Sequence, residues 1–426
     1  NVINDNVDME SEIGKKLLDR HMIYDETNLS FSNINRYRIR EIKNHLNMST
    51  SLHIFVVTTA CNVGCVYCQA NNGTRCSGLF MDKETARRAV DIALESPTKS
   101  LTFEFQGGEP LLNFEIIKYI KEANKTHSIN YTVVSNLTLL TDEMITYFRE
   151  NNFGVSTSLD GHEFLHNKNR PYKDGGHTYR DVIKSIDRLR EAGIYVGAIQ
   201  TTTKESLKYP REIVDTYYNL GFNSIFIRPL TPLGKATKNW NEIGYSPDEF
   251  LDFYSEVLDA VIAINEKGVF FKEEHATILL KRIDGQFVNY MELRSPCGAG
   301  IGQLAYYPDG NIFTCDEGRM LHEMGDSIFC LGNVNKSTYR SIIDNGTCKA
   351  VCASSILETI PTCCDCVYQA YCGTCPVVSY AADGDIMEKS PRGYRCKIYA
   401  GMLDKLFSLF QKNEDNTLNI LQSWSN

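Results

Sequence analysis

The chain has 426 residues, 42% of them apolar and 23% charged, with a formal charge of −9. That length exceeds one ordinary core, and the composition is that of a globular protein of two or three domains rather than a disordered one. The acidic balance argues against a nucleic-acid partner, and no uncharged apolar run reaches the roughly 18 residues that a membrane helix needs.

The opening Asn1-Val2-Ile3-Asn4 lacks the basic region and apolar stretch of a secretory signal, so a cytoplasmic location is expected. Reducing conditions there make fifteen cysteines better metal ligands than disulfide partners. Their distribution is lopsided. Four fall between Cys61 and Cys76, none lies between Cys76 and Cys297, and eleven follow. This spacing predicts a catalytic module followed by a metal-rich one.

Residues 1–50 are polar, with a helical pattern at Ile13, Leu17 and Leu18. Short β-rich runs then recur at 52–57, 101–105, 131–134, 153–159, 194–199 and 224–227. Amphipathic helices are predicted between them over 82–95, 113–124, 141–151, 178–192 and 205–220. In the first of these, Ala86, Ala89, Val90, Ala93 and Leu94 share one face. Six strand–helix alternations imply parallel strands with crossover helices. An α/β fold built on a partial (β/α)6 TIM-like barrel is expected, with an open doubly wound sheet as the alternative. In either fold, function sits on loops at the C-terminal strand ends.

The first such loop reads Cys61-Asn62-Val63-Gly64-Cys65-Val66-Tyr67-Cys68, a C-x3-C-x2-C pattern. Four thiolates saturate a cubane iron–sulfur cluster, so three leave one iron open, the mark of a catalytic metal site. A zinc loop is the alternative, but it wants a fourth ligand. No nearby His supplies one, and Cys76 reads as a spare thiol. After the second run stands Gln106-Gly107-Gly108-Glu109-Pro110, after the third Ser135-Asn136, and the fourth ends Ser156-Thr157-Ser158-Leu159-Asp160-Gly161, followed by Asn169-Arg170.

Across residues 50–230 these motifs, in order, resemble the radical S-adenosylmethionine (AdoMet) superfamily. The resemblance implies a [4Fe–4S] cluster on Cys61, Cys65 and Cys68 whose open iron takes the cofactor's amino and carboxylate groups. Electron transfer then frees a 5′-deoxyadenosyl radical, chemistry that the cofactor carries while the protein aims it. It also implies a cofactor-binding shell of Tyr67, Gln106, Gly107, Gly108, Glu109, Ser135, Asn136, Ser158 and Arg170, with Ser158 and Arg170 on the carboxylate.

Beyond a helical bridging segment at 231–295, Cys297 and Cys315 precede Cys363-x2-Cys366-x5-Cys372-x2-Cys375 and Cys396. Residues 296–400 resemble the SPASM domain, with two residues between the last paired cysteines where the family commonly has three. Zinc knuckles are the alternative, although the five-residue spacing is short for a zinc ribbon. The resemblance implies two auxiliary [4Fe–4S] clusters, for three in all. Cys363, Cys366, Cys372 and Cys396 would hold the distal one, and Cys297, Cys315 and Cys375 the nearer. With three ligands, the nearer set either leaves its fourth iron open or takes another thiol, Cys352 being the expected one, with Cys330, Cys348 and Cys364 behind it. A helical tail is expected over 401–426.

Residues 297–318 and 364–376 look most like the radical maturase of the His-Xaa-Ser peptide system. This implies a ribosomal precursor peptide as substrate, a reductant such as flavodoxin or ferredoxin, and a second radical maturase as companion. The expected product is a crosslink, thioether or oxidation. A formylglycine-forming sulfatase maturase and a non-catalytic iron–sulfur scaffold are the alternatives. Asp316, directly after Cys315, is the expected catalytic base, and Glu317 is expected to matter less. Residues 1–50 resemble the tail of a winged-helix peptide-recognition domain that captures a leader as an added strand, the alternative being a barrel cap.

Overall fold

The computed structural model describes residues 8–19, 43, 46, 50–70, 78–124, 127–286, 288–391, 393–412 and 414–425. It divides into two units, Asn1–Met48 and Ser49–Asn426. In the first, a helix spans Glu12–Asp19, covering the pattern at Ile13, Leu17 and Leu18. Most of the expected recognition segment, and Cys76 further on, lie outside the described residues.

The second unit carries one ten-stranded sheet in the order β10-β9-β8-β1-β2-β3-β4-β5-β6-β7. Six strands fall where alternation places them: β1 Leu52–Thr58, β2 Ser100–Gly107, β3 Ser128–Val134, β4 Gly154–Ser158, β5 Val196–Thr201 and β6 Ser224–Arg228. All pair in parallel. β7 (Lys272–Glu273) adds a short edge beyond β6. Among the described residues the sheet ends at β10 and β7 without closing, as in a partial barrel.

Strand faces are set by residue type. On β2, Leu101, Phe103 and Phe105 are fully buried among the helices, while Glu104 and Gln106 take the opposite face. Phe55, Phe103, Phe105, Tyr131 and Phe153 form one aromatic stack along that layer. The helix Lys83–Leu94 buries the predicted face of Ala86, Ala89, Val90 and Ala93, and Asp82 caps its first turn through the Thr85 N–H. One prediction needs correcting. The helix expected over 205–220 is a short turn at Ser206–Lys208 followed by a helix at Pro210–Asn219. Pro210 lacks an amide hydrogen and suits only the first helical position.

The cysteine-rich segment does not build a sheet of its own. β8 (Gln303–Tyr306) pairs in parallel with β1, Leu52 opposite Gln303 and Phe55 opposite Tyr306. β9 (Asn311–Phe313) and β10 (Cys330–Asn333) continue the ladder antiparallel. Among the described residues no helix is long and apolar enough to cross a membrane.

His53, at the β1–β8 seam, is fully buried and its Nδ1 lies 3.0 Å from the Tyr306 hydroxyl. Burial pulls its pKa from 6.5 to about 3. The folded state therefore refuses a proton that the unfolded chain accepts below pH 6.5, and stability falls as pH drops through that value. Glu273, pushed up to about 7 by burial, acts in the opposite direction. A comparison with His53→Phe cancels that opposing contribution. The advantage of the wild type over the variant should shrink by about 2 kcal/mol between pH 7.5 and 5 in denaturant unfolding. A pH-independent difference would show that the imidazole does not titrate as described.

Candidate functional site

The cysteine loop leaves β1 and is clamped by backbone on both sides. Gly64 and Val66 donate their N–H groups to the carbonyls of Pro171 and Asn169, and Lys235 N–H reaches the Cys68 carbonyl. Asn239 Nδ2 holds the Val66 carbonyl at 2.7 Å. Gly234, at φ 60°, passes so close that a Cβ would stand 2.5 Å from the carbonyl oxygens of Cys68 and Gln69. Gly107 and Gly108 do the same beneath the loop. A Cβ on either would lie 2.1–2.2 Å from the carbonyl oxygens of Thr58 and Ala60. Their first task in the fold is thus to let β2 press against the strand that launches the cysteines.

Glu109 is fully buried, and both carboxylate oxygens are engaged. It accepts from Leu111 N–H at 3.0 Å, Ser135 Oγ at 2.7 Å and Asn136 N–H at 2.8 Å. Glu109 and Ser135 therefore tie two loops together rather than pointing free groups at a ligand. Asn136 continues the tie, donating through Nδ2 to Asn62 Oδ1 at 3.0 Å and lying 3.8 Å from Cys61 Sγ. Ser158 is half-buried at the end of β4.

Beneath the loop, Arg170 Nη1 donates to the Tyr67 hydroxyl at 2.8 Å, and that hydroxyl reaches both oxygens of Asp160 at 2.8 Å. The three thiols Cys61, Cys65 and Cys68 influence one another electrostatically, and Arg170 acts on Cys61 and Cys65. Burial pushes Cys61 up to about 11 and Cys65 up to about 12. Left to themselves they stay protonated; a metal centre and a buried cation favour the thiolate.

Two more thiol groups form in the C-terminal segment. Cys363, Cys366, Cys372 and Cys396 line one cavity together with Arg395 and Thr374. Cys297, Cys315 and Cys375 are buried in one apolar cluster, and the thiols of Cys297 and Cys375 act on that of Cys315. Cys352 has a different immediate partner, Cys348, one turn away on the helix Gly346–Ser354, and Arg294 faces both Cys297 and Cys352. Among the described residues no three His, Cys, Asp or Glu side chains converge tightly enough for a single metal ion. Zinc needs its sulfurs within about 4 Å of one another, whereas the irons of a cluster stand apart and hold thiolates more widely. The donor sets contain thiols and no histidine, a chemistry that suits iron–sulfur clusters.

Asp316 opens the helix Asp316–Glu323, and its Oδ1 accepts from Arg319 Nε at 2.7 Å. Arg319, nearly buried, also donates to Gln106 Oε1 at 3.2 Å, which brings Asp316 to the β2 face carrying Glu104 and Gln106. Glu317 turns the other way. Its charge bears on Cys297, Cys315 and Cys375, and burial with neighbouring Glu292 and Asp316 pushes it up to about 7. Reading along the chain missed this involvement, as it missed Arg319, Glu292 and Arg395. The one available signal was that Arg395 stands next to a grouped cysteine, Cys396, and Glu317 two residues after another, Cys315.

Comparison with known proteins completes the picture. Residues 55–217 match the model of the radical SAM superfamily. An uncharacterized protein of Methanocaldococcus jannaschii is 30% identical over 242 residues, covering 53% of this chain and 83% of that one. A cysteine-type anaerobic sulfatase-maturating enzyme of Clostridium novyi is 24% identical over 336 residues, 76% of this chain and 87% of the relative. Among solved structures, AdoMet-bound anSMEcpe superimposes with a TM-score of 0.72 at 20% identity, over 88% of this chain and 99% of that one. Streptococcus suis SuiB bound to its precursor peptide SuiA gives 0.59 at 17% identity, over 91% and 87%.

Proposed function

Because this chain belongs to the radical SAM superfamily, and so is an enzyme that uses AdoMet and a [4Fe–4S] cluster, we propose that it matures a ribosomally made precursor peptide. It abstracts hydrogen from a peptide side chain or α-carbon and installs a crosslink, thioether or oxidation. When bound, the cluster on Cys61, Cys65 and Cys68 supplies the electron that splits AdoMet and releases the 5′-deoxyadenosyl radical.

This chain's residues do the rest. Arg170 places a buried positive charge beside the thiols and is itself fixed by Tyr67 and Asp160. Glu109 and Asn136 hold the neighbouring loops in register with the cysteines. Asp316 takes the proton that the substrate releases as it is oxidised. Two auxiliary clusters sit on the C-terminal thiol groups, with Cys352 completing the nearer set, in a layout of barrel 51–230, bridge 231–295, SPASM segment 296–400 and tail 401–426. A flavodoxin or ferredoxin in the cytoplasm serves as reductant, and a second radical maturase acts alongside.

The observation that carries this reading is the presence of three separate thiol groups in one chain, two of them beyond the loop that the superfamily uses. SuiB, whose fold this chain shares, binds a precursor peptide. A sulfatase-type maturase forming formylglycine is the second reading, favoured by the Clostridium novyi relative and by Asp316 beside Cys315. Co-expression with a candidate precursor peptide, followed by mass analysis, separates the two. A mass change in that peptide supports the first reading. An unchanged peptide together with formylglycine on a sulfatase-derived peptide supports the second.

A further inference from the structure

Beside the C-terminal thiol groups, two buried arginines, Arg294 and Arg395, keep N–H groups without hydrogen-bond partners. Glu292 bridges two arginines, accepting from Arg228 Nη2 at 2.9 Å and from Arg395 Nη1 at 2.9 Å. Burial alone would raise its carboxyl, yet Arg228 and Arg395 hold it at about 2, so it is ionised. Two cations share this anion; the second buried carboxyl nearby, Glu317, bears on Arg228, while Glu292 is the carboxylate that Arg395 meets. The rest of Arg395 faces sulfur. It lines the cavity of Cys363, Cys366, Cys372 and Cys396, and it acts on Cys375 of the other group as well as on Cys372. Its Nε is buried without a hydrogen-bond partner, as is Thr374 Oγ1 in the same cavity wall.

Arg294 repeats the situation on the other side. It is only 3% exposed, and its recorded hydrogen bonds go to Met291 Sδ at 3.2 Å and Asn289 Oδ1 at 3.5 Å, neither of them anionic. Nε and Nη2 are buried and unpartnered, and the groups it faces are the thiols Cys297 and Cys352, which become anionic only as metal ligands. Gly302 makes the space, since a Cβ there would lie 2.2 Å from Arg294 Nη1. A buried guanidinium without a counter-ion is costly, and unmade buried N–H bonds add to the cost.

We infer that Arg294 and Arg395 are the counter-charges of the auxiliary clusters, with Arg294 serving the nearer one and Arg395 shared by both, so that Arg395 sets their two reduction potentials together. The inference rests on the assignment of the C-terminal thiols as cluster ligands. The sign follows from charge. Reduction makes each cluster more negative by one electron, a nearby cation favours that form, and removing the cation lowers the potential.

The test is an electron-paramagnetic-resonance redox titration of the anaerobically loaded full chain. Arg395→Gln should lower both auxiliary potentials by at least tenfold in the reduction equilibrium, about 59 mV for a one-electron couple. Arg294→Met should lower one of them only, and the AdoMet-cleaving cluster should not move in either variant. Glu292→Gln removes the shared anion and should shift both potentials upward. That opposite sign carries the test if Arg395→Gln does not load. Retained iron with unchanged potentials in Arg395→Gln or Glu292→Gln overturns the inference. A wild-type chain holding only about four irons overturns instead the auxiliary-cluster assignment on which it rests.

Discussion

Replacing Cys61, Cys65 and Cys68 together with Ala should remove about four irons per chain and abolish 5′-deoxyadenosine release after anaerobic reduction. The loop's backbone is held by Gly64, Val66 and Lys235 amides and by Asn239, none of which needs the thiols. The variant should therefore keep its fold and its C-terminal iron, so lost chemistry is not lost structure. Iron and sulfide analysis, circular dichroism and product chromatography check the three parts. Release of 5′-deoxyadenosine from the triple variant would move the cofactor-cleaving cluster to another thiol group.

Asp316→Asn should leave 5′-deoxyadenosine formation intact while product falls by about two orders of magnitude or more. Asn keeps the size of the side chain and can still accept from Arg319, so the link to Gln106 survives while the proton acceptor is lost. Glu317 is not the innocent neighbour that sequence position suggests. Its carboxyl bears on all three thiols of the nearer group, so Glu317→Gln should disturb the auxiliary cluster's spectrum with a smaller loss of product. Mass analysis of the peptide and the spectrum of the loaded enzyme read the two effects separately. Equal yields from Asp316→Asn and wild type would return Asp316 to an ordinary helix-opening residue.

Much of the architecture was legible because alternation and helical periodicity act locally. The burial of Leu101, Phe103 and Phe105 against the opposite placement of Glu104 and Gln106 is written in the order of β2. Cysteine spacing likewise marks the first loop, whereas Cys297, Cys315 and Cys375 lie far apart in sequence and were grouped only through the family resemblance. What stayed hidden depends on pairs far apart in the chain. Glu292 meets Arg228 at a separation of 64 residues and Arg395 at 103, and no local pattern announces either. The roles of Glu109 and Ser135 were obscured in a different way. Their motif identifies the loop, but only the three-dimensional structure reveals that the two side chains bond each other. The break at Pro210 was visible, and the apolar pattern on either side of it concealed the cost of a proline inside a helix.

The parallel pairing of β8 with β1 has a consequence for how such a chain can diversify. Four residue pairs, from Leu52–Gln303 to Phe55–Tyr306, lock the launching strand of the first cysteine loop to the hairpin that ends just before Cys315. A flexible joint between two bodies would let the gap between their thiol groups wander. A shared ladder works as a fixed ruler. Insertions and deletions in the surrounding loops can then accumulate while the spacing beneath them keeps its length.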